Sequence, residues 1–89
     1  MAKKRRKLNK DFEKKIYSSK KDVELVLAKI YDIDDEDIQK EYMSAFNRVV
    51  YLYDELKEKY DQQGFNDNSE ELLIKYKNAF NLFESEFEI

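Results

Sequence analysis

The 89-residue chain contains no cysteine, no histidine, no proline and no tryptophan, and a single glycine, Gly64. Without cysteine there are no disulfides, no thiolate metal sites and no thiol nucleophile. Without histidine the usual general base near neutral pH is missing. A zinc site would have to rest on carboxylates alone, which zinc seldom accepts. The near absence of glycine and proline bears on the fold. Sheets need many tight turns, and tight turns draw on both residue types. A chain with one glycine is expected to have few, long elements. No stretch approaches the ~20 consecutive apolar residues that cross a bilayer. Met1 to Lys10 has the basic character of a signal-peptide start, but no apolar run follows it. A cytoplasmic protein is the expectation.

What the chain does contain is balanced: 42% apolar residues and 42% charged residues. The apolar share is enough for a core, which excludes whole-chain disorder. At this length one domain is expected, burying roughly 60–65% of the unfolded surface.

Three stretches of helical periodicity follow one another. In the first, Leu8, Phe12, Ile16, Val23, Val26, Leu27 and Ile30 fall on one helical face, with Asn9 as a candidate N-cap. The face is interrupted around Ser18-Ser19, so a bend or frayed joint is expected there. The acidic run Asp32 to Asp37 is the first break, and Asp34 or Asp35 would cap the second helix. Acids at that end also suit the positive pole of the helix dipole. The second stripe is Ile38, Tyr42, Ala45, Phe46, Val49, Leu52 or Tyr53, Leu56 and Tyr60. The second break runs from Gln62 to Asn68, with Gly64 suited to a left-handed C-terminal position. Asn68 and Glu71 have capping-box spacing, and Leu73, Tyr76, Phe80, Phe83 and Phe87 follow at alternating threes and fours.

The expected fold is therefore all-α: a three-helix antiparallel bundle, up-down-up, with helices at about 9–31, 35–61 and 69–88. A flexible basic tail, residues 1–7, precedes a domain spanning 8–89.

The acidic run does not make a calcium loop. An EF-hand counted from Asp32 needs glycine sixth and glutamate twelfth, and finds Asp37 and Met43. Paired acids such as Glu70 and Glu71 would need a pocket that separates their pKa values before doing acid–base work, and no glycine-rich nucleotide loop exists. Neither an enzyme nor a cofactor is expected.

Charge is the sharpest feature. Residues 1–20 hold nine basic residues against Asp11 and Glu13, a net of +7, whereas the whole chain is −3, leaving −10 on residues 21–89. The second sharp feature is the run Val49-Val50-Tyr51-Leu52-Tyr53. Successive residues are ~100° apart, so five apolar residues sweep the whole helix surface. Either the second helix is wedged between the other two, or part of it meets a partner.

The leading expectation is a protein-binding module (an inhibitor, adaptor or assembly factor) working through an acidic and aromatic helical surface. Its candidate interface residues are Tyr42, Val50, Tyr51, Tyr53 and Tyr60, facing another protein or a second copy of the chain. The second is a nucleic-acid-associated protein in which Lys3, Lys4, Arg5, Arg6, Lys7, Lys10 and Lys14 contact phosphates, within residues 1–20. The third is a peripheral membrane protein, with Leu8, Phe12, Ile16 and Tyr17 joining the lysines as a basic amphipathic helix. Lys-Lys-Arg-Arg-Lys also resembles a nuclear import signal, a short and common motif. The Lys-, Asn-, Ile- and Tyr-rich composition resembles that of small proteins carried by phages and mobile elements of low-GC bacteria. That likeness rests on no motif and assigns no residue a role.

Overall fold

The computed structural model describes residues 7–87. Three helices follow one another: α1 (Lys10–Tyr31), α2 (Glu36–Gln63) and α3 (Asp67–Glu86). Each begins where a side chain caps free backbone N–H groups. The Asn9 side chain accepts from the Phe12 N–H at 3.0 Å. The Asp35 carboxylate accepts from the N–H groups of Asp37 and Ile38 at 2.9 and 3.1 Å. The third start lies two residues earlier than the expected Asn68–Glu71 pair. Asn66 caps the Ser69 N–H at 2.9 Å, and the Ser69 hydroxyl accepts the Asn66 N–H at 2.9 Å. This is a reciprocal capping box built on serine instead of glutamate, and a cap of this kind contributes about 0.5–2 kcal/mol.

The helices are antiparallel neighbours in an up-down-up bundle. Phe12 near the start of α1 packs on Tyr60 near the end of α2, with ring centroids 5.5 Å apart. Tyr42 near the start of α2 packs edge-on against Phe87 at the end of α3, 4.8 Å away. The bundle is a rod of 57 × 20 × 18 Å with a radius of gyration of 15.2 Å. A compact chain of this length would have a radius near 12 Å, so the elongation is real.

The seam is more regular than the sequence stripes suggest. The inward positions are Phe12, Ile16, Ser19, Val23, Val26 and Ile30 on α1. On α2 they are Tyr42, Phe46, Val49, Tyr53, Leu56 and Tyr60, and on α3 Ser69, Leu73, Tyr76, Phe80, Phe83 and Phe87. All three alternate by four and three, the 3.5-residue repeat of helices packed knobs-into-holes. Ser19 is the position that makes α1 continuous. It is 3% exposed, and α1 runs through Ser18-Ser19 as unbroken helix, with no frayed joint. Its hydroxyl returns a hydrogen bond to the Lys15 carbonyl at 2.8 Å. Its small volume lets the Tyr76 ring approach, and the Tyr76 hydroxyl donates to the Ser19 carbonyl at 3.2 Å. Leu8 and Ile38, placed in the sequence stripes, are exposed: Leu8 precedes the cap and is 62% exposed, and Ile38 is 44% exposed, while Leu27, Ala45 and Leu52 flank the seam half-buried.

Gly64 closes α2 with φ 76° and ψ −158°. The positive φ was expected, but this ψ is not the left-handed helical value. It belongs to a region open essentially to glycine alone. The conformation turns the chain so that Lys7 can lie beside it. Lys7 forms an isolated parallel bridge with Gly64, and its carbonyl accepts the Phe65 N–H at 2.6 Å. The expected tail therefore loses its last residue to the body: Lys7 is held at the base of the bundle. Lys3, Lys4, Arg5 and Arg6 lie outside the described residues.

Candidate functional site

The five residues expected to form an aromatic interface on α2 are not brought together on the surface. Tyr53 is 8% exposed and meets the Tyr76 ring at 6.0 Å; Tyr60 is 6% exposed beneath Phe12. The Tyr60 hydroxyl donates to the Glu13 carboxylate at 2.5 Å and accepts the Asn9 N–H at 3.1 Å. Tyr42 is half-buried between Phe83 and Phe87. Val50 is half-buried against the core, and Leu52 lines the groove to α3. Only Tyr51 points outward, 65% exposed. The Glu55 carboxylate beside it raises its hydroxyl pKa through a hydrogen bond. The five-residue apolar run is thus explained by the wedge. α2 sits between α1 and α3, and its outward row (Lys40, Ser44, Asn47, Tyr51, Glu58) is polar around one ring.

Burial also decides the fate of the amphipathic first helix. Phe12 and Ile16 are 4% and 5% exposed, packed into the bundle. Of the four residues that would enter a bilayer, only Leu8 and Tyr17 remain at the surface, too little apolar area for interfacial anchoring. Among the described residues no helix is long and apolar enough to cross a membrane.

What the fold does assemble is a cationic row on the outward face of α1. With the seam of α1 at Phe12, Ile16, Ser19 and Val23, a 100° step places Lys10, Lys14, Tyr17 and Lys21 on the opposite side. All four are exposed. They repeat by four, three and four, so they form one line about 16 Å long. Lys14 and Lys10 were legible as candidates in the sequence; Lys21 and Tyr17 join them only once the seam is phased through Ser19. The Lys21 ammonium lies 5.0 Å from the centroid of the Tyr17 ring. Lys20 stands on the flank toward α2. Lys7, pinned at Gly64, continues the positive charge past the helix start, and the sequence before it holds four more basic residues at 3–6.

Glu24, exposed and next in the same repeat, ends the row, and the two acids near its start are turned off it. Asp11 falls on the flank toward α3, and Glu13 is engaged by the Tyr60 hydroxyl on the flank toward α2. The strongest acidic cluster lies at the far end of the rod. Asp32, Asp34, Asp35, Glu36, Asp37 and Glu41 form the α1–α2 turn and the start of α2, and the antiparallel packing brings Glu84 and Glu86 of α3 to that end. The outward side of α3 is acidic at its start, with Asp67 and Glu71, the latter 3.6 Å from Lys75. The first three turns of α1 therefore present a basic outward face, and the far end of the rod is acidic.

Grooves open to solvent run between the helices. The α1–α3 groove is about 650 Å³, edged by Lys15, Lys29 and Lys77 against Asp22 and Glu84. The α2–α3 groove is about 500 Å³ and the α1–α2 groove about 410 Å³. Among the described residues no cluster of acids could hold a metal ion, and no buried side-chain polar atom lacks a hydrogen-bond partner. The chain matches no family model, no curated protein and no solved structure.

Proposed function

We propose that this protein is a non-catalytic helical module that binds a nucleic-acid backbone through the outward face of α1 and the basic segment leading into it. The observation that supports this reading is the row Lys10, Lys14, Tyr17 and Lys21, three lysines and a tyrosine on one exposed line that ends at Glu24. Lysines that neutralise phosphates release condensed counterions, which makes such binding strong at low salt and weak at high salt. The acidic end and the acidic outer side of α3 repel the same polyanion, so the rod is held with α1 inward. A charge-swapped variant, Lys10→Glu with Lys14→Glu and Lys21→Glu, tests the reading in a gel-retention or anisotropy titration. The three positions are exposed, so the helical signal should persist while retention is lost. Retention equal to that of the parent chain would reject it.

A protein partner is the second reading, and a different observation favours it. In the α2–α3 groove Leu82 is 58% exposed beside half-buried Ala45, Leu52 and Ala79, with Arg48, Lys75 and Glu86 at the rim. An apolar anchor with a mixed charged border suits an amphipathic helix. Leu82→Glu should abolish capture of such a partner without touching polyanion binding, and an unchanged complex would count against the groove.

A further inference from the structure

We infer that the surface of α1 selects single-stranded over duplex nucleic acid, with the Tyr17 ring as the stacking residue. This rests on the polyanion reading and goes beyond it. Lysines in a row read phosphate charge and cannot by themselves distinguish one strand from two. An exposed aromatic ring inside the row can, because a base offers its face only when it is unpaired. Tyr17 has the needed placement. It sits between Lys14 and Lys21 on the outward line, and it is 60% exposed although six of the other tyrosine and phenylalanine rings are buried in the core. The Lys21 ammonium at 5.0 Å holds the ring by a cation–π contact and supplies a phosphate contact at the same point.

Beside the ring, the α1–α2 groove of about 410 Å³ is edged by Leu8, Tyr17, Lys20 and Lys57. Leu8 is 62% exposed, an apolar surface for a base or sugar that follows the stacked one. The two carboxylates in that groove are both engaged: Glu13 by the Tyr60 hydroxyl and Asp61 by the Lys57 ammonium at 2.7 Å. A duplex, with its bases turned inward, would use the lysines and leave the ring and Leu8 idle.

The test uses the full chain, a labelled oligothymidylate and a labelled duplex of equal length, compared by anisotropy at one ionic strength. Tighter binding to the single strand is expected. Tyr17→Ala should weaken the single-stranded complex by roughly 5- to 150-fold, the range of one lost base stack, and leave the duplex complex unchanged. Tyr17→Phe should restore the preference. Equal affinity for both forms, untouched by Tyr17→Ala, overturns the inference while the polyanion reading stands. Absence of salt-sensitive binding to either form overturns both. Binding to anionic vesicles or to an acidic polypeptide with no response to oligothymidylate also overturns both.

Discussion

The Tyr76 hydroxyl reaches across the bundle and donates to the main-chain carbonyl of Ser19, 3.2 Å away. The pair explains why a serine occupies a seam position. A larger side chain at 19 would displace the ring that fills the space between α1 and α3. Ser19→Leu is therefore expected to overpack the site and destabilise the fold by about 1–3 kcal/mol, read as a lower urea midpoint. Ser19→Ala keeps the volume small and leaves no buried polar group unpaired, so its midpoint should stay near that of the parent.

Burial of the same hydroxyl gives the fold a defined alkaline limit. Burial pushes the Tyr76 hydroxyl up to about 12, partly opposed by its hydrogen bond to Ser19, and burial also raises Tyr53. A tyrosine in the unfolded chain loses its proton near pH 10. Between pH 10 and about 12 the folded state binds more protons at Tyr76 than the unfolded state does, so stability falls as pH rises. Below pH 10 both states hold the proton and the contribution is fully present. Urea midpoints measured from neutral pH to strongly alkaline solution should decline in that window, and Tyr76→Phe should flatten the decline.

Much of this architecture is legible from the residues, and the failures have physical causes. The inventory of glycine, proline and apolar periodicity leads directly to three helices, and Asn9 and Asp35 mark two starts by their capping chemistry. Ser19 and Ser69 defeat a hydropathy reading because polar side chains occupy seam positions and satisfy themselves on nearby backbone. Missing Ser19 leaves α1 looking interrupted and hides the outward row, since Lys10, Lys14, Tyr17 and Lys21 align only when the helix is continuous. The burial of Tyr53 and Tyr60 could not be read from α2 alone. An apolar run that encircles a helix has no phase until its neighbours are placed, and both rings turn out to be held by Tyr76, Phe12 and Glu13.

Gly64 should tolerate no side chain. Its φ of 76° with ψ of −158° is strained for any residue with a Cβ, by about 1–3 kcal/mol. Gly64→Ala is expected to lower the urea midpoint by that amount. It should also speed amide exchange at Phe65, whose N–H is bonded to the Lys7 carbonyl.

Tyr60→Phe removes a hydroxyl that serves Glu13 and the Asn9 N–H together. A loss of about 1–2 kcal/mol is expected, since two hydrogen bonds disappear at a partly buried site. The substitution changes no charge beside the cationic row, so oligonucleotide affinity of the folded variant should stay near that of the parent chain. A clear loss of affinity in the folded variant would contradict this.

The most direct test of the cationic face is the salt dependence of oligonucleotide binding, measured for the parent chain and for Lys10→Gln with Lys14→Gln and Lys21→Gln. Each phosphate contact to a single strand contributes about 0.7 to the slope of log affinity against log salt. Loss of the three lysines should therefore flatten the slope by about 2 while circular dichroism shows the helices intact. A slope identical to that of the parent chain would contradict binding through α1.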